Sequence, residues 1–235
     1  QFEKVLAVDT EFLFDTTKTI PEKVICFVYS DIFTGEVTRK WVYDEKDYTP
    51  HFDYDNVLLV SYNATAEFGC YLKNLHGRPK NMWDAYAETS RLYKPMRMGK
   101  GALTLLTTAE NYGIEDKLTV VEKERNLDLI LRRNEFSHLP FKYTVTELLD
   151  YCQSDAEILR QLFIKQVLDI ETKLNLKTEE EFETELWQIL NRGYAIGCVS
   201  LVERNGIPVD TKLISRFNEA WPKVKDNLIR KINEE

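Results

Sequence analysis

A short apolar run that becomes acidic at its carboxyl end is the feature that most constrains this chain. Residues 5–8 suit a buried strand, and Asp9 and Glu11 follow, two positions apart. Side chains of a strand alternate between its faces, so both carboxylates are predicted to lie on one face. Adjacent anions repel, and a cation that prefers oxygen ligands, Mg²⁺ or Mn²⁺, would neutralise them. The alternative is an acidic turn after a strand, since D-x-E alone is a short pattern.

Composition restricts the class of protein. The 235 residues, 43% of them hydrophobic, suffice for one large domain or a domain with an appendage. We expect a soluble, cytoplasmic protein, because no apolar run approaches the ~20 residues that cross a bilayer and no signal peptide is recognisable. The four cysteines lack C-x-x-C spacing and are expected to be reduced thiols. The formal charge of -8 argues against a protein that coats duplex DNA but does not exclude a nuclease with a carboxylate metal site.

Further apolar runs predict a mixed α/β fold. Residues 24–30 and 36–43 predict two antiparallel strands beside the first, joined by a turn near Gly35. Residues 56–62 form a continuous apolar run, typical of a strand buried on both faces. A sheet that begins antiparallel and continues with strands separated by helices is expected to be mixed and flanked by helices.

A second group of acids follows the run at 56–62. Asn63 is predicted to cap a helix, and Glu67 would lie in its first turns, where it can face the same crevice as the first two acids. In isolation such a glutamate is a solvated residue more often than a ligand. Asp84 is the second candidate ligand, although capping of a helix over 85–93 is its favoured role.

Residues 145–162 predict an amphipathic helix that carries a third acid. Tyr151 and Asp155 are four residues apart and therefore share one helix face. Alone, the pair favours a tyrosine packed on the core and a solvated aspartate. Combined with Asp9, Glu11 and Glu67, the order of acids and tyrosine is much less expected by chance.

These residues carry a resemblance to a known family. Asp9-Thr10-Glu11, Asn63-x-x-x-Glu67 and Tyr151-x-x-x-Asp155 resemble the three motifs of the DEDD 3′-to-5′ exonuclease superfamily, in its tyrosine-bearing subclass. The resemblance is closest to the proofreading domain of family-A, phage-type DNA polymerases and spans nearly the whole chain. It departs at Glu67, where the family usually has Asp. Asp150 stands where the other subclass carries a histidine, which makes Tyr151 the water-orienting candidate.

The resemblance implies a ribonuclease-H-like, DnaQ-like fold and phosphodiester hydrolysis with two Mg²⁺ or Mn²⁺ ions. It implies that Tyr151 orients the attacking water. The metals would be held by four carboxylates: Asp9, Glu11, Glu67 and Asp155. Nucleic acid would be contacted by residues beside the motifs and in a basic loop: Thr10, Phe12, Asn63, Arg97 and Lys100.

The last part of the chain is predicted to be a helical extension. Residues 178–181 have the pattern of a capping box, and a helix is expected to end at Asn205-Gly206. A long helix over 211–235 would be broken or bent near Pro222. The resemblance implies an exonuclease domain over residues 1–170 and, over 171–235, a helical segment that leads into a missing polymerase domain of the same full-length chain.

Two classes of function remain open from the sequence. The first is an active proofreading exonuclease on single-stranded or frayed DNA 3′ ends, without a membrane, in the cytoplasm of a bacterium or a phage-infected host cell. The second is a non-catalytic exonuclease-like module that positions nucleic acid or a partner domain. Retention of Asp9, Glu11, Tyr151 and Asp155 favours the first. An RNA-trimming relative is a third alternative, because the residues that would contact the sugar are not identified.

Overall fold

A computed structural model describes residues 2–14, 21–43, 54–73, 78–93, 103–115, 130 and 141–234. The chain divides into two compact units, Gln1–Arg204 and Asn205–Glu235. The predicted basic loop with Arg97 and Lys100, and most of the region over 117–134, lie outside the described residues.

The first unit is built on a mixed five-stranded sheet. Its strands are β1 (Lys4–Phe14), β2 (Pro21–Asp31), β3 (Val37–Trp41), β4 (Val57–Ser61) and β5 (Asn81–Asp84). Their order across the sheet is β3-β2-β1-β4-β5. β2 is antiparallel to β1 and β3, whereas β4 is parallel to β1 and β5. The predicted mixed α/β class is therefore confirmed, and β5 is a strand that the sequence analysis did not predict.

The alternation of side chains along β1 separates two apolar layers. Val5 and Ala7 belong to one buried cluster, whereas Leu6 and Val8 belong to another. β4 is buried at all five positions, as a central strand covered on both faces must be. The sheet is thus a partition with helices packed on either side.

Turns and irregularities follow local chemistry. The predicted turn after β2 is present, and Gly35 has a φ of 71°, a backbone conformation that glycine adopts without a steric penalty. The Asp31 carboxylate accepts the backbone N–H groups of Phe33 and Thr34, each at 2.9 Å. The register of β1 with β2 shifts between Glu11 and Phe12, so the sheet has a bulge beside the first acidic motif.

Six described helices follow or separate the strands of the chain. They are α1 (Ala64–Lys73), α2 (Ala85–Tyr93), α3 (Leu105–Asn111), α4 (Phe141–Leu174), α5 (Glu179–Asn205) and α6 (Thr211–Glu234). α1 packs on β2 and β1, and α4 packs on β2, β1 and β3. α2 has the predicted bounds of 85–93. The predicted boundary between the exonuclease domain and the helical segment, at residue 170, lies inside α4.

Helix termini confirm two predictions of local structure. Glu181 and Thr178 form a capping box, because the Thr178 Oγ1 accepts the Glu181 N–H at 3.2 Å and the Glu181 Oε2 accepts the Thr178 N–H at 3.0 Å. α5 ends at Asn205, and Gly206 has a φ of 69°. The Asp210 carboxylate caps α6 by accepting the Leu213 N–H at 2.9 Å.

The second unit consists mainly of α6. Its helix is continuous from Thr211 to Glu234 although Pro222 lies inside it, so of the two predicted alternatives, a break or a bend near Pro222, the break is absent. Apolar side chains on α6 are exposed within this unit. In the part of the chain that the structure describes, no helix is both long enough and apolar enough to span a bilayer.

Candidate metal and nuclease site

β1 extends past its parallel neighbour, and the first acidic motif lies on the extension. The pairing of β1 with β4 ends where Ala7 is opposite Val60, whereas β1 continues to Phe14. Asp9 and Glu11 are therefore flanked by β2 on one side and by the open end of β4 on the other. This open end gives side chains from beyond β4 access to the carboxylates.

Alternation along β1 directs the two carboxylates towards α4. Asp9 continues the Val5 and Ala7 series, which packs with Ile158 and Leu159 of α4. Thr10 belongs to the opposite series, and its Oγ1 donates to the Cys70 Sγ of α1 at 3.4 Å. The prediction that Asp9 and Glu11 share a face thus agrees with the contacts of their neighbours.

α4 delivers the tyrosine and the third acid to the same place. The Cys152 Sγ donates to the backbone oxygen of Asp9 at 3.2 Å, which fixes this turn of α4 against β1. One ligand atom each from Asp9, Glu11 and Cys152 lie within 4.8 Å of one another. Tyr151 hydrogen-bonds to the Asp155 carboxylate, its partner four residues along the helix.

Glu67 reaches the site from the opposite side of the sheet. It lies in the first turn of α1, which begins just after β4, and its side chain is only 5% exposed. Burial is the main cause that raises the pKa of Glu67 well above its usual value, and the neighbouring Asp9 charge raises it further. Among the described residues, the Glu67 Oε2 has no hydrogen-bond partner. A buried carboxylate oxygen without a donor is costly unless a cation binds it.

Mutual repulsion links the four acids. Burial raises the pKa of Glu11 well above its usual value, and the charges of Asp9, Asp155 and Glu67 add to this effect. Burial also raises the pKa of Tyr151, and Asp155 and Glu11 contribute. Like charges disfavour ionisation at short range, so these acids lie near enough to affect one another. Among the described residues, the group of possible ligand atoms within 4.8 Å of one another contains Asp9, Glu11 and Cys152 and does not include Glu67 or Asp155.

Asp84 belongs to a different arrangement. It is 1% exposed, and its carboxylate accepts the N–H groups of Asn63 at 3.3 Å, Ala64 at 3.0 Å and Ala87 at 3.1 Å. One aspartate thereby caps the first turns of α1 and α2. The predicted capping role is confirmed for α2. For α1, the capping carboxylate is that of Asp84, whereas the sequence predicted a cap from Asn63.

The other predicted site residues are distributed around this crevice. Thr10 is buried against α1, and Phe12 is half-buried. Asn63 is exposed and has a φ of 72°, at the carboxyl edge of the sheet. Asp150 forms an ion pair with Arg39 of β3 at 2.6 Å, so it belongs to the surface of α4. Arg97 and Lys100 lie outside the described residues, so their predicted contacts with nucleic acid stay a prediction.

Cysteine thiols surround the acids, a feature that was not predicted from the sequence. Cys152 contacts Asp9, Cys70 accepts from Thr10, and Cys26 lies opposite Glu11 in the β1–β2 pair. None of the four cysteines is in a disulfide, as predicted. The feature of the sequence that could have revealed Cys152 as a neighbour of the acids is its position directly after Tyr151 on the predicted helix. Burial, the largest cause, raises the pKa of Cys152 well above its usual value, so the thiol stays protonated at neutral pH.

The donor set fits a hard divalent cation. Four carboxylates offer oxygen ligands, and the nearest sulfur is a protonated thiol that already donates to a backbone oxygen. Mg²⁺ and Mn²⁺ prefer such oxygen ligands, whereas Zn²⁺ sites are usually built from thiolates and imidazoles. Asp9, Glu11, Glu67 and Asp155 are therefore the residues that could hold a metal.

Comparisons with known proteins add no family to this picture. No protein-family model matches the chain, and no curated protein matches it either.

Proposed function

We propose that the chain is a metal-dependent 3′-to-5′ exonuclease that removes nucleotides from single-stranded or frayed DNA 3′ ends. The observation that carries the proposal is the burial of Glu67 beside Asp9, with a carboxylate oxygen that finds no donor among the described residues. Glu67 is the residue at which the motifs depart from the family pattern, and the Asp9 charge nevertheless contributes to its raised pKa.

The proposal includes a ribonuclease-H-like, DnaQ-like fold. The mixed sheet, with α1 and α4 packed on it and the acids at the open end of β4, is compatible with that fold. It also includes the resemblance to family-A polymerases: the exonuclease would be the proofreading part of such an enzyme, joined to a polymerase domain of the same full-length chain. The proposed place of action is the cytoplasm of a bacterium or a phage-infected cell.

The four carboxylates would hold two Mg²⁺ or Mn²⁺ ions. When bound, the ions supply positive charge to the scissile phosphate and lower the pKa of a water molecule. Asp9 is central, because its charge acts on both Glu11 and Glu67. Glu11 and Asp155 lie on its α4 side, and Glu67 lies on its α1 side. Asp9 would therefore hold the ions together with residues of both helices, Asp155 of α4 and Glu67 of α1.

Tyr151 has the properties of a residue that orients water. Burial and the nearby acids raise its pKa, so it remains a phenol and cannot act as a general base. Its hydroxyl is fixed by Asp155, four residues along α4. A phenol held in this way can hydrogen-bond to an attacking water and aim it at a phosphate between the two helices.

A direct assay tests the proposal. The purified chain is incubated with Mg²⁺ or Mn²⁺ and with single strands of DNA or RNA that carry a label at the 5′ end. Stepwise shortening of DNA, silenced by EDTA, is the expected result, because an unpaired 3′ end reaches the crevice without the cost of melting. Preference for RNA would support an RNA-trimming enzyme instead.

Two further substrates test the direction of cutting. Strands blocked at the 3′ end are expected to resist, and circular single strands are expected to remain intact. Rapid cutting of circles would identify an endonuclease. Binding of single strands without any cleavage, in either metal, would support the non-catalytic module.

A further inference from the structure

α5 follows the predicted exonuclease domain in sequence, yet it packs closely against β5. A Cβ atom added at Gly193 would clash with the backbone carbonyl oxygen of Met82. Met82 lies in β5, two residues before Asp84. Only glycine allows this approach, because no side-chain rotation can relieve a contact with backbone.

One turn later, α5 comes close to a side chain of α1. A Cβ atom at Gly197 would lie 2.5 Å from the Cδ2 of Phe68. Phe68 directly follows Glu67 and is fully buried. Its ring also packs edge-on against Tyr194 of α5, with a centroid distance of 6.2 Å. The residue next to Glu67 is therefore enclosed by the α5 surface.

Hydrogen bonds hold α5 along the length of α1. The Thr65 Oγ1 donates to the backbone oxygen of Ile196 at 3.3 Å, and the Ser200 Oγ donates to the backbone oxygen of Thr65. Near the other end, the Arg204 Nη1 donates to the Leu72 oxygen at 2.9 Å. These bonds flank Glu67 on both sides, so α1 cannot shift along its axis without breaking them.

Buried charges fix the position of α5 itself. The Arg192 guanidinium donates to both oxygens of Glu88, at 2.8 and 3.1 Å, and to Glu185 at 2.9 Å. Glu88, on α2, is only 1% exposed. A bidentate pair of this kind has strict geometry, so the register of α5 over β5 and α1 is specified.

We propose that Gly193 and Gly197 of α5 are positioning residues for Glu67, an inference that rests on the proposed metal-dependent function. The two glycines let α5 approach close enough to seat Phe68, and the Phe68 ring fixes the turn of α1 that directs Glu67 towards Asp9. A methyl group at position 197 pushes Phe68 away and moves the Glu67 carboxylate relative to Asp9.

The test uses the Gly197→Ala variant of the full chain and the binding of Mn²⁺, followed by the electron paramagnetic resonance of the free ion. Mn²⁺ is expected to bind about tenfold more weakly, the lower end of the effect of disturbing residues that orient metal ligands. The Gly197→Ala, Phe68→Leu double variant is expected to recover part of the affinity, because the shorter side chain makes room for the methyl group.

Asn191→Ala is the matched control, since Asn191 is exposed on the same helix. It is expected to leave Mn²⁺ affinity unchanged. If Gly197→Ala does not fold, Ser200→Ala replaces it, because it removes a hydrogen bond to Thr65 without adding volume; weaker Mn²⁺ binding is again expected. A folded variant that melts earlier but binds Mn²⁺ like the wild type would overturn the proposal.

The same titration separates this inference from the proposed function. If the wild type binds Mn²⁺ and Asp9→Asn does not, the metal site stands, and the result for Gly197→Ala decides the role of α5. If the wild type binds no Mn²⁺, both proposals fail together.

Discussion

The carboxylate of Asp84, at the end of β5, accepts the backbone N–H of Ala64, the first residue of α1, at 3.0 Å. The same carboxylate accepts the N–H of Ala87 in α2 at 3.1 Å. Both of its oxygens are thus occupied by backbone donors. This relationship favours Glu67 over Asp84 as the second-motif acid, since the Glu67 Oε2 has no such donor among the described residues.

Asp84→Asn is expected to reduce stability more than activity. The amide keeps one accepting oxygen but turns an NH₂ group towards a buried N–H, so the free energy of unfolding should fall by about 1–3 kcal/mol. Urea denaturation measures this loss. Activity per folded molecule should exceed that of Glu67→Gln; the opposite ranking would identify Asp84 as the ligand.

Glu67→Gln is expected to lower the cleavage rate by at least ~10²-fold, the scale on which one lost electrostatic contribution to a metal site is felt. The side-chain size is kept, so the melting temperature without metal should be unchanged or higher. Steady-state cleavage of a labelled single strand gives the rate. Glu67→Asp is the companion variant, and its shorter arm should also impair cleavage; full activity in either variant would contradict the assignment.

The five strands show how much of the fold could be predicted from the sequence. Apolar runs with alternating or continuous patterns are sufficient to predict β1 to β4, because burial of these strands depends on their own side chains. β5 has only four residues, and two of them are polar, so its pattern is too short to recognise. Its burial comes from pairing with β4 and from the backbone contact with Gly193, which no local pattern reveals.

In the candidate site too, local patterns predict which residues share a face, whereas tertiary contacts determine which of them are buried. The shared faces of Asp9 with Glu11 and of Tyr151 with Asp155 follow from strand and helix periods. The burial of Glu67 depends on the end of β4 at Ser61 and on the packing of α5 against Phe68. The contact between Gly197 of α5 and Phe68 joins segments more than a hundred residues apart, so the motif spacing predicts Glu67 but not its environment.

Asp9→Ala and Asp155→Ala are expected to abolish cleavage without unfolding the chain. Each removes a carboxylate whose charge opposes the ionisation of Glu11, so the metal-free protein should melt at the same temperature or higher. Thermal melting and the cleavage assay are measured on the same samples. Asp150→Ala is the control on α4, because its ion pair with Arg39 is on the surface; it should cleave normally.

If Asp9→Ala or Asp155→Ala unfolds, the aspartate that was replaced has a structural role. Cleavage by the wild type that survives excess EDTA would reject the metal mechanism as a whole. These two outcomes are independent, because the first concerns the fold and the second concerns the ions.

The stability of the metal-free chain is expected to fall as pH rises from about 5 to 8. The folded-state pKa values of Glu11 and Glu67 are raised above their ordinary value of 4.5. Between the unfolded and folded pKa values, the native state therefore binds more protons than the unfolded state, and the free energy of unfolding decreases with pH. Each unit of raised pKa corresponds to about 1.4 kcal/mol. The melting temperature in EDTA, measured from pH 5 to 8, reports this loss of stability.

Saturating Mg²⁺ should remove this loss, because bound cations favour the ionised carboxylates and stabilise the native state. Glu67→Gln should flatten the pH dependence in EDTA, since one of the two groups no longer titrates. Asp150→Asn serves as the comparison, because the Asp150 carboxylate lies on the surface of α4 in an ion pair with Arg39. A wild-type chain whose metal-free stability rises steadily from pH 5 to 8 would show that Glu11 and Glu67 are not held together as buried, repelling acids.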